Sequence, residues 1–158
     1  MEDILLLETD GFTFSFHVDR RRTDQEYVGM TVLFVLDPTL GSVSLRSEPT
    51  SISTKDLQDL VTYFEQHVAH LQQDAWSDAE MFVNTELGFQ LQALAGELLS
   101  ATEGDFGIRC TVNVVKSDEG RSRVYVGGEA NVTVEQVQAF TGSIETLLTH
   151  LAPKSDRQ

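Results

Sequence analysis

The chain has 158 residues, 25 Asp plus Glu against 11 Lys plus Arg, and 41% apolar residues, the make-up of one compact domain that needs neither disulfides nor metal to fold. A formal charge of -14 argues against phosphate-backbone binding, which requires a basic face, so no nucleic-acid partner is expected. A single cysteine, Cys110, excludes an internal disulfide framework and any multi-cysteine zinc site, and with it the expected location is cytoplasmic. Met1 to Glu8 places two acids ahead of a short apolar run, unlike a signal peptide, and no apolar run approaches a membrane span, so no membrane partner is expected.

Phe12 to Val18 alternates apolar and polar residues with period two, the pattern of a half-buried strand with His17 on its polar face. Tyr27 to Leu36 is apolar on both parities and predicts a more deeply buried strand. Asp37 to Gly41 supplies turn chemistry, and Val43 and Leu45 continue as a hairpin partner. Ser53 is placed as a helix N-cap with Asp56 at N3, and Ile52 with Leu57 as its hydrophobic staple. Leu57, Leu60, Val61, Phe64, Val68 and Leu71 then form one stripe of a helix that reaches Gln72. Gln73 to Asp78 reads as a linker. Beyond it, Met81 to Thr85, Phe89 to Ala95, Ile108 to Val115 and Val124 to Val126 are expected strands, with a turn at Ser117 to Gly120 and a bulge or strand end at Gly127-Gly128. Thr133 and Gln136 form a capping box for a second helix with the stripe Val137, Phe140, Ile144, Leu147, Leu148 and Leu151. Pro153 stops it, and residues 154–158 are expected to fray.

The two halves resemble each other. Ile52, Ser53, Leu57, Leu60, Phe64, Val68, His70 and Leu71 match Val132, Thr133, Val137, Phe140, Ile144, Leu148, His150 and Leu151, and the same alignment pairs Val28, Met30, Val32 and Phe34 with Ile108, Cys110, Val112 and Val114. The only length change falls in a loop, Asp19 to Tyr27 against Gly96 to Gly107, where insertions are tolerated. The expected fold is therefore α+β: one domain over 1–158, built from tandem ββββα units at 1–77 and 78–153 related by pseudo-two-fold symmetry. In it an antiparallel sheet carries both helices on one face, and its other face is polar and free for a partner.

The chain carries no nucleophile-elbow, phosphate-loop or dinucleotide motif, so no catalytic residue and no cofactor is assigned. His67 and His70 stand three apart on the first helix but lack the partner ligands a metal site needs, and are read as solvent-facing or boundary residues. Cys110 shares strand parity with Ile108, Val112 and Val114, the place of a small buried hydrophobe. Arg20-Arg21-Arg22 is the one basic cluster. The corresponding loop carries Glu97, Glu103 and Asp105, and opposite charge at the two loops makes a homodimer one expected assembly. Asp74, Asp78 and Glu80 surround Trp76, which either caps a core edge or stands exposed as an interface anchor.

Leu57-x-x-Leu60-Val61-x-x-Phe64 after a Ser-rich start, and Val124 to Thr133 leading into Val137-x-x-Phe140, resemble the WapI-type bacterial immunity proteins. The resemblance implies a small acidic cytoplasmic domain that binds and neutralises a toxin, frequently a nuclease, and it assigns no functional residue. The expectation is thus a non-enzymatic acidic module for a basic protein partner, contacting it through Asp74, Trp76, Asp78, Glu80, Glu103 and Asp105. The alternative is a small cofactor-free enzyme or ligand carrier with a pocket between sheet and helices, where His17 or His67 beside a carboxylate acts as acid or base.

Overall fold

Alternating apolar residues give each long strand one face that must leave water, and the path of the chain follows from covering those faces. A computed structural model describes residues 2–23, 26–115 and 122–152; the turn expected at Ser117 to Gly120, Pro153 and the tail lie outside the described residues. The order is β1 (Glu2–Glu8), β2 (Phe12–Thr23), β3 (Tyr27–Leu36), β4 (Ser44–Arg46), β5 (Thr50–Ser53), α1 (Thr54–Gln73), β6 (Phe82–Val83), β7 (Phe89–Leu98), β8 (Gly104–Asn113), β9 (Tyr125–Thr133) and α2 (Val134–Leu151).

The fold is α+β with two antiparallel sheets and two helices. The first sheet runs β1-β2-β3-β4, with β5 also paired to β3; the second runs β6-β7-β8-β9. One continuous sheet was the expectation from sequence. It fails because the far edge of β3 is already filled by β4 at Leu33 to Val35 and by β5 at Tyr27 to Met30. Between them Ser47 extends the ladder, its N–H donating to the Val32 carbonyl and its Oγ accepting from the Val32 N–H at 2.9 Å. The second set of strands instead turns its apolar face onto the first. Phe14 and Phe16 of β2 meet Phe89 of β7 at ring-centroid separations of 5.9 and 4.7 Å, and Phe16 also meets Phe140 of α2 at 5.8 Å.

The helices do not share one sheet face. After β5, α1 crosses to lie against β7 of the second sheet; after β9, α2 crosses to lie against β1 of the first, and the helices touch each other. In this arrangement both sheets and both helical stripes share one core, in which Leu57, Leu60, Phe64, Val137, Phe140 and Ile144 are all nearly inaccessible. Both helix starts fold as their sequences dictate. Ser53 accepts from the Asp56 N–H, and Thr133 with Gln136 makes the reciprocal box. Asp56 does not return to Ser53; its carboxylate accepts from the Thr85 N–H at 2.9 Å and ties the helix to the turn before β7.

Three smaller expectations are corrected. Gly127 and Gly128 lie inside β9 in unbroken register with Thr111 and Cys110, because a side chain on Gly127 would overlap the Cys110 backbone, so the glycine serves close approach and not a bulge. The real irregularities are in β2 between Asp19 and Thr23 and in β7 between Ala93 and Gly96. His67 is buried, at 1% exposure, not a boundary residue. And the outward sheet surface is not uniformly polar: on the first sheet Ile4 and Leu6 face outward, and at the edge of the second Val83 does.

Candidate functional site

The last turn of α1 sets the geometry of the linker. Asp74 caps the helix with its N–H on the His70 carbonyl, then folds its carboxylate over the next turn to accept from the Trp76 N–H at 3.0 Å, while its carbonyl accepts from Ser77. This turn directs Trp76, the only tryptophan, into solvent at 86% exposure.

The linker is stitched to β7. Gly96 N–H donates to the Ala75 carbonyl, Ala95 N–H to the Asp78 carboxylate at 2.8 Å, and Ala79 N–H to the Ala93 carbonyl. The bulge in β7 falls at this seam, and Gly96 is required there because any side chain would overlap the backbone of Asp105 and Phe106. Trp76, Ala75, Ala95, Gly96 and Glu97 consequently line a shallow depression of about 430 Å³. Where β7 and β8 pair beyond the bulge, Glu97 stands directly opposite Asp105, and Leu99 N–H closes the hairpin on the Glu103 carbonyl at 2.8 Å. Two exposed like charges in register cost roughly 0.2–1 kcal/mol, and the chain keeps both. Leu99 beside them is 79% exposed.

The structure therefore brings five of the six residues singled out from sequence to one region: Asp74, Trp76 and Asp78 on the linker, Glu103 and Asp105 on the adjoining hairpin. Glu80 does not line the Trp76 depression; its carbonyl accepts the Tyr63 hydroxyl at 2.6 Å, and with Tyr63, His67 and His70 it lines a second cleft of about 440 Å³ in which Asp78 also takes part. Sequence reading grouped Glu97 with Glu103 and Asp105 in one loop but left it out of the contact surface, and it missed Leu99 altogether; the strand register sets Glu97 opposite Asp105, and Leu99 bonds the Glu103 carbonyl.

The cleft beside Glu80 collects acid–base groups, yet its buried histidine is already committed. His67 Nε2 is 2.8 Å from the Leu94 carbonyl and donates to it, and Nδ1 is buried without a hydrogen-bond partner. Burial, aided by the neighbouring His70, pushes its pKa below the ordinary 6.5, so the neutral ring is the resident form. Neither nitrogen meets solvent. Burial likewise pushes the Cys110 thiol far up, which suits its place in the core. His17 lies half-buried on the outward face of β2. Among the described residues no group of three or more His, Cys, Asp and Glu is arranged to hold a metal ion, and no helix among them is long and apolar enough to cross a membrane.

Two of the three arginines of the basic cluster are occupied by their own chain, and the Arg22 side chain lies outside the described residues. Arg20 pairs with Asp3 at 2.6 Å and Arg21 with Asp19 at 3.1 Å. In comparisons with known proteins, no family model and no curated protein matches the chain.

Proposed function

We propose that this chain is a non-enzymatic binding module that takes a basic protein partner on the acidic surface around Trp76, in the manner of a toxin-neutralising immunity protein of the cytoplasm. The observation that carries the reading is the presentation of Trp76: an indole 86% exposed, held by an Asp74 turn, with Glu97, Glu103 and Asp105 on the adjoining hairpin. Such a residue exposes apolar area at a cost in water and recovers it at an interface, where tryptophan is a frequent anchor. The carboxylates steer a basic partner in and disfavour acidic ones. The opposed pair Glu97 and Asp105 supports the same reading, since a cation placed between them relieves their repulsion.

We also infer that the two halves descend from one ββββα unit. What supports this is the burial order along the helices: Leu57, Leu60, Val61, Phe64 and His67 are buried in α1, and Val137, Phe140, Thr141, Ile144 and Leu147 are buried at the corresponding positions of α2.

The test of function is capture from native lysate at low salt by the immobilised wild-type protein and by Trp76→Ala. Retention of a basic protein by the wild type, lost with Trp76→Ala and on raising salt through the Debye screening range, is the expected result. Capture that Trp76→Ala leaves intact, or none at low salt, overturns the proposal.

A further inference from the structure

The outward faces of the two sheets both carry an exposed apolar residue, Leu6 on the first and Val83 on the second, but differ in how their charges are satisfied. On the second sheet, Gln92, Arg109 and Glu129 lie side by side across β7, β8 and β9, and Arg109 bonds both neighbours, to Glu129 at 2.6 Å and to Gln92 at 3.1 Å. Those charges are satisfied in place, as on a face that meets water. On the first sheet the register sets Leu6, Ser15, Leu33 and Arg46 in one row across β1 to β4, and Glu8, Thr13, Val35 and Ser44 in the next, with Ile4 beyond them beside His17. Ile4 is 54% and Leu6 39% exposed, whereas Ser15 is only 5% exposed, screened by the leucines on either side. Glu8 and Arg46 are exposed at opposite edges of this face, and neither has an ion-pair partner among the described residues. Three strand spacings of about 4.8 Å, roughly 14 Å, keep them from reaching each other within one chain.

We propose that this face is the interface of a symmetric dimer, with a second copy of the chain as its occupant. Two sheets stacked with a two-fold axis along the strands place β1 of one copy over β4 of the other, and β2 over β3. Leu33 of each copy then covers the small Ser15 of its mate, Thr13 faces Val35, and Arg46 lies over Leu6, one pleat from Glu8. Each Glu8 gains an Arg46 from the opposite copy, so both free charges are paired twice by the same operation. A two-fold axis across the strands instead stacks Arg46 on Arg46, and the charges select against it. The face also lacks the acidic excess of the rest of the molecule: the basic partner proposed for the Trp76 surface finds no complement here, while a second copy meets its least repulsive surface. The contact measures at most roughly 19 by 24 Å, about 450 Å² per copy and about 900 Å² in total, below the ~1,200 Å² of standard stable interfaces, so the association is of the weak, reversible class.

The experiment is sedimentation equilibrium of the full chain across the micromolar range, with circular dichroism confirming the fold of every variant. The wild type is expected to dimerise, and Leu33→Arg to weaken dimerisation at least about tenfold. Glu8→Arg and Arg46→Glu, both on exposed side chains, are each expected to weaken it about five- to tenfold, because each homodimer then sets like charges together twice. Mixing these two single variants restores association as a heterodimer, and the double variant restores it as a homodimer. The mixing arm separates an interface from a fold defect, since an intramolecular fault is not repaired by a second chain. A wild type that stays monomeric, a dimer indifferent to Leu33→Arg, or charge variants that do not rescue one another would each overturn the proposal.

Discussion

His67 holds an imidazole inside the core at 1% exposure, bonded through one nitrogen to the Leu94 carbonyl and edge-on to Phe106 at 4.9 Å, with the other nitrogen unpartnered. Its folded pKa lies below the 6.5 of the unfolded chain, chiefly because burial disfavours the cation; the bond to the Leu94 carbonyl opposes this, His70 adds to the depression and Asp78 opposes it less. The unfolded state therefore gains a proton at this site as pH falls through 6.5, while the folded state does not until lower pH. Its contribution to stability is fully present above 6.5 and is lost progressively below it. Urea melts of the wild type and His67→Leu at pH values either side of 6.5 are expected to show a shallower acid decline in the variant; parallel curves would sink the account. Tyr63 makes a second such point. Its hydroxyl donates to the Glu80 carbonyl at 2.6 Å and accepts from the Ala93 N–H at 2.9 Å, joining α1, linker and β7 through one atom. Tyr63→Phe deletes both bonds and strands a sheet N–H, so a loss of about 1–3 kcal/mol is expected in chemical denaturation.

At the scale of elements, the two helix starts test how far a sequence signal carries. Thr133 and Gln136 satisfy each other's backbone N–H groups, at 3.1 and 3.0 Å. Thr133→Ala and Gln136→Ala should each cost about 1 kcal/mol, and the double variant less than their sum, because the two bonds form one closed motif. A strictly additive cycle would show that the bonds act separately. The same signal at Ser53 and Asp56 was legible only by half: the spacing located the cap, but the carboxylate answers to Thr85, which is distant in sequence. The strands Phe12 onward and Tyr27–Leu36 were readable because local period reports a buried face. Position 67 also carried the signal, three residues after Phe64 and four before Leu71, and was misread because histidine is a polar type. What no local pattern reports is which sheet an apolar stripe meets. That Glu97 faces Asp105, and that Leu99 closes on Glu103 in the hairpin adjoining the linker, follows from register across a bulge, so this part of the candidate surface was invisible before the strands were paired.

For the whole molecule, the crossing of the helices decides cooperativity. Were each helix laid on its own half's sheet, the halves would be separable at the Asp74 to Met81 linker, and each would keep a core. Instead α1 covers β7 and α2 covers β1, while Phe14, Phe16, Phe64, Phe89 and Phe140 form a chain of ring contacts that draws on both sheets and both helices. A first half alone leaves the stripe of α1 without β7 and the inner face of β1 without α2; a second half is left with the converse gaps. Each fully buried phenylalanine so uncovered forfeits roughly 1.5–3 kcal/mol, and net stabilities of ~5–15 kcal/mol do not survive several such losses. Fragments ending at Ser77 and beginning at Asp78 are therefore expected to show no cooperative thermal transition when produced separately. Mixed or co-expressed, they should assemble into a one-to-one complex that recovers a single transition, since every contact the linker spans is non-covalent apart from the chain itself. A cooperative melt from either fragment alone would show that its own sheet and helix suffice as a core, and would refute the exchange of helices as the basis of the fold's unity.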